Sequence, residues 1–188
     1  MRNIKVQLSI ALVLGLGLAL VLPKNTHAYV IHYTWAGTSA TYSFDSSYPT
    51  GSWRTRAHDA AAKWNGVTPT PWVFIYSSSN NKLYTFTQAQ GGLLAYVQPY
   101  TCGGALCKFD LNVDDAEPWY TGTGNPSPTQ RDLWSVLTHE FGHATGLGET
   151  NLSCSGDSRP TMCLAPLGTT YIRILEADDK NGLNANYP

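Results

Sequence analysis

Apolar positions along the chain change their period several times, and each change marks an element. Residues 29–35 (YVIHYTW) and 40–44 (ATYSF) are dense in β-branched and aromatic side chains and read as strands. Trp53, Ala57, Ala60, Ala61 and Trp64 then recur at i, i+4, i+7, i+8 and i+11, the stripe of an amphipathic helix. Asn65-Gly66 closes it. Residues 72–76 (WVFIY) form a buried-strand run, and the polar stretch 77–82 reads as a loop. Strands are again expected at 83–87 and 93–97, the second opened by Gly91-Gly92 and stopped by Pro99, and one more at 108–113. A Gly/Pro/Ser-rich loop covers 121–128. A second helix is predicted from Thr129, with Thr129 and Asp132 spaced as a capping box and Leu133, Val136, Leu137, Phe141 and Ala144 as its apolar face. Gly146 and Gly148 mark its end, a loop surrounds Met162, and a short helix is expected near 175–184. Strands and helices in this order describe one α+β domain.

The amino end breaks the pattern. Arg2 and Lys5 precede an apolar run from Leu8 to Leu22, followed by Pro23 and the polar stretch Lys24 to Ala28. A basic start, an apolar middle and small residues at the exit describe a secretory signal peptide over residues 1–28, cut before Tyr29. An uncleaved anchor is the weaker alternative, because the run falls short of the ~20 residues that span a bilayer. The expectation is a secreted, extracellular domain over residues 29–188 without stable membrane association.

Composition narrows the class further. Hydrophobic residues make up 43% of the chain and charged ones 13%, which excludes a disordered polyelectrolyte and a coiled coil. Setting aside residues 1–28 removes Arg2, Lys5 and Lys24 from the 12 basic residues, so nine face 13 acidic ones. A mildly acidic domain with no basic run has no footprint for nucleic acid or anionic lipid. Cys102, Cys107, Cys154 and Cys163 are an even set that reads as disulfides outside the cell, with three connectivities open. The pairs Cys102–Cys107 and Cys154–Cys163 are favoured, since each brackets a short Gly- or Ser-bearing loop. Neither has the two-residue spacing of a zinc knuckle.

The chemistry concentrates in the second helix. His139-Glu140-Phe141-Gly142-His143 places two histidines four apart, on one helix face, where both imidazoles can reach one cation. Zinc accepts neutral imidazole nitrogen. Glu140 stands beside the metal without binding it, placed to take a proton from water and pass it to a leaving amine. Two solvent-facing histidines on a helix are the bland alternative. Gly146 can take a left-handed backbone, end the helix and turn the chain back beneath the metal, which brings Glu149 in as third ligand. Asp157 is a rival for that position.

The run His139 to Glu149 fits H-E-x-x-H-x-x-G-x-x-(ligand), and here the chain resembles the metzincin metallopeptidases and, within them, the matrixins. Pro160-Thr161-Met162 stands where the family has its Met-turn. Asp178-Asp179-Lys180-Asn181-Gly182-Leu183 is similar to the start of the matrixin C-terminal helix, with Tyr187 near its end. Trp53 to Trp64 is similar to the first helix, and Gly92-Leu93-Leu94-Ala95-Tyr96 to the substrate-binding edge strand. The resemblance covers residues 29–188. It implies a metzincin (zincin-like) α+β fold: a twisted, mostly parallel sheet with an antiparallel edge strand, a central zinc-binding helix and a C-terminal helix. It further implies a secreted zinc endopeptidase that hydrolyses extracellular proteins through a zinc-bound water activated by Glu140. His139, His143 and Glu149 would hold one catalytic Zn2+. The substrate would lie extended along 93–97, and Leu164 to Tyr171 would wall the pocket just past the cleaved bond.

Four departures from the family stand out. Glu149 occupies the position where matrixins have His and some relatives Asp. Residues 77–92 hold no His or Asp, and Tyr96 stands where the family has a structural-zinc histidine. No segment with a latency cysteine precedes Cys102, and local disulfides are foreign to that catalytic domain. Asp110, Asp114 and Asp115 form an acidic cluster suited to Ca2+, with a solvated acidic loop as the other reading. His32 and His58 read as structural. A catalytically inactive metzincin-fold binding module is the alternative function, and a metal-free β-rich adhesin a more remote one. The intact Glu140 favours the enzyme.

Overall fold

The computed structural model describes residues 28–156, 159–163 and 172–188. Within them the chain forms β1 (Ser39–Phe44), α1 (Ser52–Asn65), β2 (Val73–Tyr76), β3 (Lys82–Phe86), β4 (Ala95–Cys102), β5 (Ala105–Asp114), β6 (Trp119–Tyr120), β7 (Arg131–Asp132), α2 (Leu133–Ala144) and α3 (Ala177–Asn186). Five strands make one sheet in the order β2-β1-β3-β5-β4. β1 pairs parallel with β2 and β3, β3 parallel with β5, and β4 lies antiparallel to β5 at the edge. The mostly parallel sheet with an antiparallel edge strand is therefore present, as is the central helix.

Alternation buries Ala40 and Tyr42 of β1 and Phe109, Leu111 and Val113 of β5 against the helices. On α1, Ala57, Ala60, Ala61 and Trp64 face inward. α2 is buried on nearly every side, as an apolar helix through a core must be. Gly142 permits this depth: a Cβ there would run into Met162 Sδ and the Trp64 ring. Trp64 Nε1 in turn donates to Thr138 O at 2.8 Å, so its one polar atom is satisfied inside the core.

Four expectations change. Residues 29–35 do not form a strand; they make single bridges, Ile31 with Leu147 and Trp35 with Leu106. Pro99 lies within β4 rather than ending it, which an edge strand tolerates when the missing N–H faces outward. α2 starts later than Thr129, because Arg131 and Asp132 are held extended against Trp119 and Tyr120. Its cap is Asp132, whose carboxylate accepts from Ser135 N at 2.7 Å. A capping box does form, but on α3, between Glu176 and Asp179.

Asp132 also receives Arg173 Nε on both carboxylate oxygens at 3.2 Å. Arg173 further donates to Thr123 O at 2.6 Å and Gly124 O at 3.0 Å, so one buried guanidinium ties the 122–124 loop to the start of α2. The disulfides are Cys102–Cys107, across the β4–β5 hairpin, and Cys154–Cys163. Apart from Ala28, the signal-peptide reading lies outside the described residues. Among those described, no helix is long and apolar enough to cross a membrane.

Candidate metal centre and cleft

One turn of α2 brings His139 and His143 to the same side, with their Nε2 atoms 3.0 Å apart. Each ring is fixed from behind. His139 Nδ1 donates to Thr161 O at 2.7 Å, and His143 Nδ1 to Leu147 O at 2.9 Å. Those bonds commit the ring protons to carbonyls and leave two Nε2 lone pairs facing each other, a repulsive arrangement that a shared cation relieves. Glu149 Oε1 completes a triangle, 3.4 Å from each Nε2. Ligand atoms about 2.0–2.1 Å from a tetrahedral zinc stand about 3.3–3.4 Å from one another, so the three atoms are spaced for that ion. Among the described residues this is the group of three or more His, Cys, Asp or Glu side chains whose ligand atoms converge, all within 4.8 Å.

Electrostatics point the same way. Burial works against a charged His139, but the Glu149 hydrogen bond and the charges of Glu140 and Glu149 prevail and raise its pKa to about 9. Burial alone would push Glu149 up, yet its bonds to both histidines bring it down to about 2. Without a metal the cluster thus draws a proton into the place where a dication fits. Glu149 Oε2 and Glu140 Oε2 are buried without a hydrogen-bond partner in the chain, which leaves two carboxylate oxygens for a ligand or water. The Glu140 side chain is raised in pKa by its burial, with the two histidines opposing that shift. A buried carboxylate of raised pKa, one residue from a histidine of this cluster, is suited to hold a proton in transit.

The loop carrying Glu149 owes its course to long-range contacts. Gly146 has φ +95°, and a Cβ there would strike Tyr33 O. Its carbonyl accepts from both His32 N (2.9 Å) and Tyr33 N (3.1 Å). Gly148 N donates to Val30 O at 2.8 Å and Asn151 N to Ala28 O at 2.9 Å, so residues 28–33 lie alongside 146–151 as a splint. Thr150 N reaches Met162 O at 2.6 Å, and Thr150 Oγ1 reaches Asp178 Oδ2 at 2.6 Å. Met162 is 2% exposed beneath the helix. Its N–H and that of Thr161 both donate to the Asp179 carboxylate, at 3.0 and 2.8 Å. Local sequence pattern encodes neither the splint nor the hydrogen bonds of the Asp178/Asp179 anchor. The acidic pair at the start of α3 was the one available signal.

A cleft of about 530 Å³ opens over the cluster, with the edge strand from Leu93 to Pro99 on one lip and His32 and Tyr33 also on its wall. His139, Glu140, His143 and Glu149 all line it. His32 thus sits on the cleft, its ring against Gly148. His58 does not: its Nδ1 is 2.6 Å from the Tyr42 hydroxyl among aromatic rings. Asp110, Asp114 and Asp115 do not converge. Asp110 takes Lys108 and Tyr100, Asp114 takes the N–H groups of Gln88 and Ala116, and Asp115 takes Thr87. Asp157 and Leu164 to Tyr171 lie outside the described residues.

A family model described as Matrixin matches residues 34–188. Matrix metalloproteinase-25 of Mus musculus is 30% identical over 143 residues, covering 75% of this chain and 22% of that protein. Matrix metalloproteinase-25 of Homo sapiens is 36% identical over 97 residues, 52% of this chain and 16% of that protein. Stromelysin-3 of Xenopus laevis is 29% identical over 140 residues, 69% of this chain and 26% of that protein. The matched region is therefore about a quarter or less of each of these proteins.

Proposed function

The chain belongs to the matrixin family, and from that premise we propose that it is a secreted zinc endopeptidase acting on extracellular proteins. Residues 1–28 are its signal peptide and residues 29–188 its catalytic domain, working as a monomer without stable membrane association. His139, His143 and Glu149 hold the zinc, and Glu140 is the general base. The observation that carries this reading is the triangle of His139 Nε2, His143 Nε2 and Glu149 Oε1, set below a cleft that the Glu140 carboxyl also lines. Zinc bound there supplies a Lewis acid that polarises the scissile carbonyl and makes water more acidic. The chain's own residues do the rest. The outward edge of β4 aligns an extended backbone by strand addition. Glu140 accepts a proton from the attacking water at its carboxylate and delivers it to the leaving amine.

The test is Glu140→Gln, which keeps shape and removes the proton acceptor. Casein cleavage is expected to fall on the order of 100- to 10,000-fold with zinc content unchanged. Wild-type protein that binds zinc stoichiometrically yet never cleaves casein or gelatin would instead identify a binding module on the same scaffold.

A further inference from the structure

The cleft-facing edge of β4 is restricted at both ends. Asp114 N donates to Leu94 O at 2.9 Å, and the register continues Ala95↔Val113, Tyr96↔Asn112, Val97↔Leu111, Gln98↔Asp110 and Pro99↔Phe109. In an antiparallel ladder, successive residues turn their N–H and C=O to opposite sides. Leu94, Tyr96 and Gln98 therefore direct theirs at β5. Leu93, Ala95, Val97 and Pro99 direct theirs away from it, along the cleft they line.

Two of those four outward positions are compromised. Leu93 O already accepts from the Gln88 side-chain amide at 2.5 Å. Gln88 is held close at that point, since a Cβ on Gly92 would come within 2.7 Å of its Nε2. Pro99 keeps its C=O but has no N–H to donate. Complete outward pairing, donor and acceptor together, is left at Ala95 and Val97.

We propose that this edge is a bounded docking frame, specific for a short extended segment of substrate, with Gln88 and Pro99 as its length-determining residues. Pairing at Ala95 and Val97 spans about three substrate residues, and lengthening the peptide beyond them adds no further complete backbone pair along β4. Among the described residues, recognition outside the frame falls to side chains that are largely aliphatic and aromatic, with His32, Tyr33, Tyr96 and the His139/Glu140/His143/Glu149 cluster as the ionisable groups. The proposal rests on the peptidase reading, because it takes the cleft's occupant to be a peptide.

The experiment uses zinc-loaded Glu140→Gln protein, so that peptides bind without being cut. The probe is a dye-labelled tetrapeptide selected from casein-derived sequences by anisotropy, compared with the same peptide carrying two alanines added at either end. Alanine adds backbone groups with little side chain. In the Glu140→Gln background each extension is expected to change Kd by less than about twofold. Adding Pro99→Ala restores an outward N–H, and one of the two extensions should then tighten binding about two- to tenfold, the worth of one hydrogen bond. Pro99→Val should behave likewise, which guards against a local effect of alanine on β4. Equal tightening with and without Pro99, no discrimination in either variant, or no binding by any casein peptide overturns the frame. Hydrolysis by the unmutated protein is read separately. No cleavage with the Kd pattern intact sinks the peptidase reading, whereas cleavage with a flat Kd pattern sinks this proposal.

Discussion

At the scale of single residues, the cluster is an arrangement of lone pairs and charges that is unfavourable until a cation joins it. Glu149 is the residue on which this turns, because its carboxylate replaces the imidazole usual in matrixins. Glu149→Ala should weaken zinc binding at least about 100-fold, with Glu149→Asp or Glu149→His recovering part of it; competition against a chromophoric chelator measures both. Unchanged affinity in Glu149→Ala would remove it from the ligand set and leave His139 and His143 standing. Proton competition follows from the same geometry. In the metal-free protein His139 has a pKa of about 9 and Glu149 one of about 2. Between pH 7 and 9, then, zinc must displace a proton from His139 and none from Glu149. Its affinity should rise about tenfold per pH unit over that window and level off above pH 9. Calorimetry in buffers of different ionisation enthalpy would count the released proton, and a pH-independent affinity would contradict the assignment.

Elements carry those residues, and here the sequence was informative for local reasons and silent for distant ones. The Trp53-to-Trp64 stripe and the His139–His143 spacing needed only helical periodicity, and both lie on helices. The start of α2 is ambiguous in the sequence because Thr129 and Asp132 are both good caps. What decides between them is β6, which pairs with residues 131–132 and keeps them extended. Residues 29–35 carry the composition of a strand but splint the Glu149 loop instead, a contact across more than a hundred positions that no local pattern encodes. Arg173 carries no local signal for the same reason. Its bond to Asp132 makes the α2 cap a buried ion pair, and removing the carboxylate takes the counter-charge from a buried guanidinium. Asp132→Ala should therefore cost about 3–5 kcal/mol in urea unfolding, well above a lost cap alone. Gly142→Ala tests the packing beneath the cluster. Its methyl group meets Met162 and Trp64, so a loss of about 1–3 kcal/mol is expected.

Across the whole molecule, the cluster is a meeting point of pieces far apart in sequence. α2 gives the histidines, the loop after Gly146 gives Glu149, the segment before Met162 gives the carbonyl behind His139, and residues 28–33 brace the assembly. Zinc that binds only this assembled state must stabilise the fold. At free zinc 1,000 times Kd the gain is about 4 kcal/mol, so chelation by 1,10-phenanthroline should lower Tm and readded zinc should restore it. A Tm indifferent to zinc would show that the site and the fold are uncoupled.

The disulfide Cys154–Cys163 gives this assembly a dependence on its surroundings. Cys163 directly follows Met162, and Cys154 lies on the loop that leaves Glu149, so the bridge sutures two of the converging pieces. Such a bond is rare where glutathione keeps thiols reduced. A chain still in the cytosol would carry its histidines on a formed helix but hold the third ligand and the Thr161 carbonyl less firmly. If the chain is exported as proposed, metal capture would lag behind folding until then. On the proposed peptidase reading, the newly made chain would in that way be spared from digesting its neighbours by the chemistry of the compartment. Reduction with a phosphine, or Cys154→Ser with Cys163→Ser, should accelerate zinc loss to a chelator, while serines at Cys102 and Cys107, out on the β4–β5 hairpin, should leave the rate unchanged.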